Sequence, residues 1–152
     1  MKTLFITALL AVFAFATKAQ TITIKNSSQC KVNYYLGAGS PTCSTSYNTV
    51  NYTILPGTVV TFTFGTATWA TPAPPAGSVW TFIKEWNPCG PYAWMSPTCS
   101  GSPNQNVCAV GVACSGVPLA SCMVTNTTCN TCNAIKTQWT NLGGGSAQVD
   151  IW

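Results

Sequence analysis

The sequence predicts an all-β domain, a disulfide-stapled antiparallel β-sandwich of about 7–9 short strands. Three observations predict it. Short stretches of alternating apolar and polar residues recur along the chain, and none carries a helical period. Turn-forming residues separate these stretches at short intervals. The chain also holds 9 cysteines, most of them in one segment: Cys89, Cys99, Cys108, Cys114, Cys122, Cys129 and Cys132. That segment is rich in Gly, Pro, Ser, Asn and Thr, so it buries too little apolar surface to order itself. Covalent links are its expected source of order. No repeat of fixed period appears, which argues against a solenoid or propeller.

Residues 1–19 read as a secretory signal peptide, with Lys2 ahead of an almost unbroken apolar run from Leu4 to Phe15. Thr17, Lys18 and Ala19 then provide a cleavage site, and Gln20 is the expected mature start. The run is short for a bilayer span and no other stretch is longer, so no transmembrane segment is expected after cleavage. Residues 20–152 form one domain, with 89–132 as a disulfide-rich excursion. Cysteines in this number belong in an oxidising compartment. The expected location is therefore extracellular or on the cell surface, with the periplasm as the alternative. Because 9 is odd, one cysteine is left unpaired or joins another chain.

Residues 21–25 alternate, with Ile22 and Ile24 on one face. Residues 26–29 have turn composition, and residues 31–36 resume the alternation with Val32, Tyr34 and Leu36, predicting a hairpin. Residues 37–45 read as loop and hold Cys43, which could close back on Cys30. Residues 49–54 and 58–64 flank Pro56 and Gly57 and give the strongest hairpin signal, with Val50, Tyr52, Ile54, Val60, Phe62 and Phe64 inward. Residues 65–77 are irregular, being broken by Pro72, Pro74 and Pro75. Residues 79–86 are apolar on both faces, as a central or covered strand is. Shorter strands are expected at 107–112 and 122–125. A last hairpin places Ile135, Thr137 and Trp139, then Ala147, Val149 and Ile151, on the inward face around a glycine-rich turn at 141–145.

Two resemblances bear on this outline. In the Asn26 to Cys30 turn, the Lys18-Ala19-Gln20 signal ending and the Trp139-Thr140-Asn141-Leu142-Gly143-Gly144 stretch, the chain resembles small cysteine-rich secreted proteins of the Bacteroidota. Those proteins have no established activity, so the resemblance implies a secreted all-β protein and carries over no site. Over residues 20–64, the N-terminal strand, the Asn and Cys turn and the Pro-Gly turn are similar to the thaumatin-like sandwich. The acidic cleft residues of that family have no counterparts here.

Charge is scarce. Beyond the leader the charged side chains are Lys25, Lys31, Lys84, Lys136, Glu85 and Asp150, and the chain has no His. Without clustered Lys and Arg there is no footprint for nucleic acid. A surface covered by Thr, Ser, Asn and Gln has little like-charge repulsion and suits association with a neighbour, a matrix or a polysaccharide.

General acid–base catalysis draws on His or on paired carboxylates. Here the acids are Glu85, next to Lys84, and Asp150 in the last strand, and both read as ordinary surface charges. The chain is expected not to be an enzyme, and to need no cofactor or metal. Cys129 and Cys132 have C-x-x-C spacing, but they sit in an Asn and Thr loop, outside the strand-to-helix setting of redox proteins, and read as structural disulfides. The Thr-x-Thr pairs, such as Thr21 with Thr23 and Thr61 with Thr63, read as outward positions on strands. Aromatic residues carry the sharper binding expectation. Trp86, Tyr92 and Trp94 stand among polar neighbours, a pattern suited to stacking on sugar rings, whereas Trp139 and one of Trp80 or Trp86 are expected in the core. The expected function is a secreted or cell-surface structural or adhesive protein that self-associates or meets a matrix partner. The alternative is a carbohydrate-binding module using Trp86, Tyr92 and Trp94.

Overall fold

Alternation in the sequence becomes ten strands among the described residues: β1 (Thr21–Asn26), β2 (Val32–Gly39), β3 (Ser46–Asn48), β4 (Tyr52–Ile54), β5 (Val59–Thr63), β6 (Val79–Trp86), β7 (Val107–Gly111), β8 (Ser121–Thr125), β9 (Ala134–Gly143) and β10 (Ser146–Ile151). The computed structural model describes residues 19–39, 46–70, 72–86, 107–112, 121–125 and 134–152. The fold is all-β, as expected, in two sheets that do not close into a barrel. The first sheet runs β5-β1-β10-β9-β8, and the second runs β3-β2-β6-β7 with β4 also paired to β2. Among the described residues no helix is long and apolar enough to cross a membrane.

Both sheets feed one hydrophobic cluster. The first contributes Ile22, Ile24, Ile135, Trp139, Val149 and Ile151, and the second Val32, Tyr34, Leu36, Trp80, Ile83 and Val110. The inward faces expected of residues 21–25, 31–36, 134–140 and 146–151 are the buried ones. Aromatic rings add contacts between the sheets: Phe62 of β5 lies 4.7 Å from Tyr52 of β4 and 6.4 Å from Tyr34 of β2, centroid to centroid. The closing hairpin β9–β10 forms as expected, and Gly143, Gly144 and Gly145 all take positive φ in its turn, a conformation that side chains resist.

Four expectations are corrected. β1 and β2 do not form a hairpin, because β1 belongs to the first sheet and β2 to the second. Residues 52–54 and 59–63 likewise do not pair with each other: β4 joins β2 and β5 joins β1. In both cases the turn composition is real, but the turn carries the chain from one sheet to the other. The pairing is also not wholly antiparallel, since β1 and β10 run parallel, Ile22 opposite Ala147 and Ile24 opposite Val149. Short connections enforce antiparallel neighbours, and these two strands lie at opposite ends of the fold's sequence, free of that constraint. β2 extends into the expected loop as far as Gly39, where it pairs with the unpredicted β3.

Residues 79–86 form the expected central strand, β6, between β2 and β7. The register with β2 shifts between Gly37 and Ala38, which oppose Phe82 and Trp80 and leave Thr81 as the extra residue. This bulge resets the alternation, so that Trp80 faces the core on one side of it and Ile83 on the other. Gly111 fits against it without a side chain, for a Cβ there would stand 2.2 Å from the Thr81 carbonyl oxygen. The short strands expected near 107–112 and 122–125 are β7 and β8.

Asn26 makes the first sheet-to-sheet turn possible. Its Nδ2 donates to the Cys30 carbonyl at 2.7 Å and to the Leu55 carbonyl at 3.2 Å. Its Oδ1 accepts from the Ser28 N–H at 3.0 Å and the Ser28 hydroxyl at 2.6 Å. Cys30 is buried and disulfide-bonded. Its expected partner Cys43 lies outside the described residues, as do Cys89, Cys99, Cys114, Cys129 and Cys132 of the excursion. Replacing the Asn26 amide removes its bonds to the Cys30 and Leu55 carbonyls and takes the acceptor from the buried Ser28 N–H, so Asn26→Ala is expected to cost about 3 kcal/mol. That corresponds to a drop of roughly 10 °C in Tm, measured by circular dichroism, whereas Thr53→Ala at an exposed strand position should shift it by only about 1–2 °C.

Candidate functional site

The two side-chain carboxyls are separated by the fold. On β6 the alternation that turns Ile83 inward also turns Glu85 inward, and Glu85 is 1% exposed. The expectation of a surface charge is corrected here: a strand residue's face is set by its register, and Glu85 occupies an inward position. Thr137 of β9, also inward, donates its hydroxyl to Glu85 Oε1 across the gap between the sheets. Glu85 Oε2 has no hydrogen-bond partner among the described residues. Lys84 stands on the opposite face of β6, as its place between Ile83 and Glu85 requires. Asp150 lies on the outward face of β10, where Gln148 Nε2 donates to both its oxygens at 3.1 and 2.9 Å. Glu85 and Asp150 therefore occupy opposite sides of the first sheet.

Burial pushes the Glu85 carboxyl up from 4.5 to about 7, against a smaller downward pull from the Thr137 hydroxyl. Opposite it on β2, burial and the neighbouring Tyr52 raise the Tyr34 phenol well above its ordinary value. The folded protein holds the Glu85 proton more tightly than the unfolded chain does. Stability tied to this group is therefore full below pH 4.5 and is lost as pH rises through 7. The loss is about 3 kcal/mol on complete ionisation. In urea titrations between pH 4 and pH 8, wild type should lose this stability and Glu85→Gln should not. A wild-type profile as flat as that of Glu85→Gln would contradict the buried acid.

A cavity of about 310 Å³ opens where β6 meets the β9–β10 hairpin. Trp80, Thr81, Trp139 and Asn141 line it together with the glycines of the turn, and among the described residues no charged side chain does. Trp80 is held in place by its ring neighbours: it stacks on Trp69 at 5.6 Å and meets Phe64 at 4.9 Å, edge to face. The indole N–H groups of Trp80 and Trp139 are buried, with no hydrogen-bond acceptor among the described residues. The expectation of Trp139 and either Trp80 or Trp86 in the core holds for Trp139 and Trp80. The cavity itself was not foreseen. Its sequence signal is the run Gly143-Gly144-Gly145, whose missing side chains leave space beside two tryptophans.

Of the expected sugar-stacking residues, Trp86 ends β6 opposite Asn33 and Val107. Tyr92 and Trp94 lie outside the described residues. The outward face of the second sheet carries Phe82, set edge to face with Tyr35 at 5.9 Å, and Asn33, whose amide oxygen accepts from the Thr53 hydroxyl at 2.8 Å. Among the described residues no group of acidic and cysteine side chains is arranged to hold a metal ion.

The threonine pairs fall on the outer face of the first sheet, Thr21 opposite Thr63 and Thr23 opposite Thr61, with the latter two hydroxyls 3.1 Å apart. They adjoin β5, an edge strand paired only with β1 among the described strands. Leu55 and Val59, at 55% and 58% exposure, flank the turn into it. A scan against protein-family models, a search of curated proteins and a search of solved structures each found no match for this chain.

Proposed function

We propose that the protein is a secreted or cell-surface structural or adhesive protein, a disulfide-stapled two-layer sandwich that assembles with copies of itself through β5. The edge of β5, open among the described strands, carries this reading. Its sequence, Val59-Val60-Thr61-Phe62-Thr63, is β-branched and aromatic, with no charge, Pro or Gly. Natural edge strands are normally protected by just such residues, and an unprotected one is a template for a further strand. Antiparallel pairing of β5 with a second β5 is self-complementary about a twofold axis and continues the first sheet into the partner. The exposed Leu55 and Val59 would be covered in the same contact.

Sedimentation velocity on the oxidised protein tests this. Wild type should show a concentration-dependent dimer or higher assembly. Val59→Lys, which leaves the inward face of β5 intact, should weaken association at least tenfold. A wild type that stays monomeric up to millimolar concentration would remove the reading.

A second reading, carbohydrate binding, is favoured by the register of Trp86, opposite Asn33 on β2, which has Thr53 on its other side. An aromatic plane with amide and hydroxyl neighbours stacks on a sugar ring and bonds its hydroxyls. In titrations against soluble polysaccharides, Trp86→Ala is expected to reduce affinity about tenfold or more. Trp139→Phe, which changes the interior cavity, should leave that affinity unchanged. Equal binding by wild type and Trp86→Ala would dismiss Trp86 as the site.

A further inference from the structure

Two cysteines of the excursion fall on described strands, and the register of the sheets brings them to one place. Cys108 on β7 lies directly opposite Glu85 on β6. Cys122 on β8 lies directly opposite Thr137 on β9. Directly opposed residues of an antiparallel pair share a face of their sheet. Glu85 and Thr137 are both inward and are hydrogen-bonded to each other across the gap. Cys108 and Cys122 therefore hold matching register positions, each one strand further out than the Glu85–Thr137 contact.

Among the described strands, those outer strands are the edges β7 and β8. They belong to different sheets and share no ladder, yet their backbones come within 8 Å, Cα to Cα. Stacked sheets are ordinarily about 10 Å apart, and a disulfide spans Cα separations of about 4.4–6.8 Å. The two sheets thus converge along the side where the two cysteines are level.

We propose that Cys108 and Cys122 form a disulfide joining the outermost strands of the two sheets beside the buried Glu85. The bond forms by exchange with a disulfide-type oxidant in the compartment where the protein folds. One cysteine thiolate attacks the oxidant's disulfide to give a mixed disulfide and release one thiol. The second thiolate then displaces the remaining oxidant sulfur. The two cysteines together give up two protons and two electrons, and the oxidant leaves as two thiols. The bridge closes the converging side of the core by covalent linkage, where neither sheet supplies ladder hydrogen bonds to the other.

The test is disulfide mapping of the full-length secreted protein. The oxidised protein is alkylated without reductant and digested with pepsin at acid pH, where exchange is slow, and the peptides are identified by mass spectrometry. A linked pair of peptides carrying Cys108 and Cys122, lost on reduction, is expected. Recovery of Cys108 or Cys122 alkylated, or linked to a different cysteine, overturns the proposal. As a second measurement, Cys108→Ser should release one additional thiol located at Cys122, and Cys122→Ser one located at Cys108. A new thiol at any other position overturns it equally, and the wild-type map decides if either variant fails to fold.

Discussion

The chain passes between its two sheets at short turns, and the Asn26 amide is the group that satisfies the first of them. A strand that leaves one sheet and enters another gives up its ladder partners at the crossing, so the backbone polar groups there need substitutes. Asn26 replaces them from one side chain, reaching the carbonyl of Cys30 at the start of the second sheet and that of Leu55 at the end of β4. Its own backbone N–H donates to the Thr58 carbonyl at 2.9 Å, and the following Ser27 N–H to that of Ile151 at 2.7 Å. Strands from both sheets are thereby fixed at one buried point. The parallel pairing of β1 with β10 follows from the same turn, since β1 ends where β10 ends and both deliver their last residues to it.

Glu85 shows how a charge-poor chain treats a carboxyl. A buried acid with no cation opposite it is tolerable only as the neutral form, which keeps a proton to donate and asks less of its surroundings. Among the described side chains, the inward groups around it are the Thr137 hydroxyl and the Tyr34 ring, on β9 and β2. Neither supplies a positive charge. The acid therefore acts as a polar tie between the sheets under mildly acidic conditions and as a source of instability above neutrality. Asp150, on the far side of β10, is bonded to Gln148 and remains an ordinary outward group.

Strand positions and their inward faces were legible because a two-residue period survives any rearrangement of partners. Ile22, Ile24, Val32, Tyr34, Leu36, Ile135, Trp139 and Val149 could be assigned to the core without knowing which strand pairs with which. Pairing itself was not legible. A turn of Asn, Ser, Pro or Gly reverses the chain equally well within a sheet or between sheets, and the difference rests on contacts from residues far away in sequence. The burial of Glu85 was hidden for a related reason. Its parity with Ile83 was readable, but residues 79–86 are apolar on both faces, so parity alone did not say which face is the interior. The bulge at Thr81 shifts that parity again, which is why Trp80 joins the core from the other phase of the strand.

The edges of the two sheets differ in how they are finished, and that contrast gives β5 its significance. On one side of the molecule β7 and β8 converge, so each edge is partly screened by the other. The opposite edge of the second sheet is divided between β3 and β4, each three residues long, and so short an edge is a poor template for a further strand. Among the described residues β5 has neither protection. It is longer and uncharged, and at its start Val59 faces solvent beside Lys25 of β1. A single lysine on the adjacent strand does little to repel an identical neighbour, because an antiparallel pairing about a twofold axis places the two copies of Lys25 two strands out from the new seam. The scarcity of charge and the shape of the sheet edges thus point to the same surface, from independent properties of the sequence.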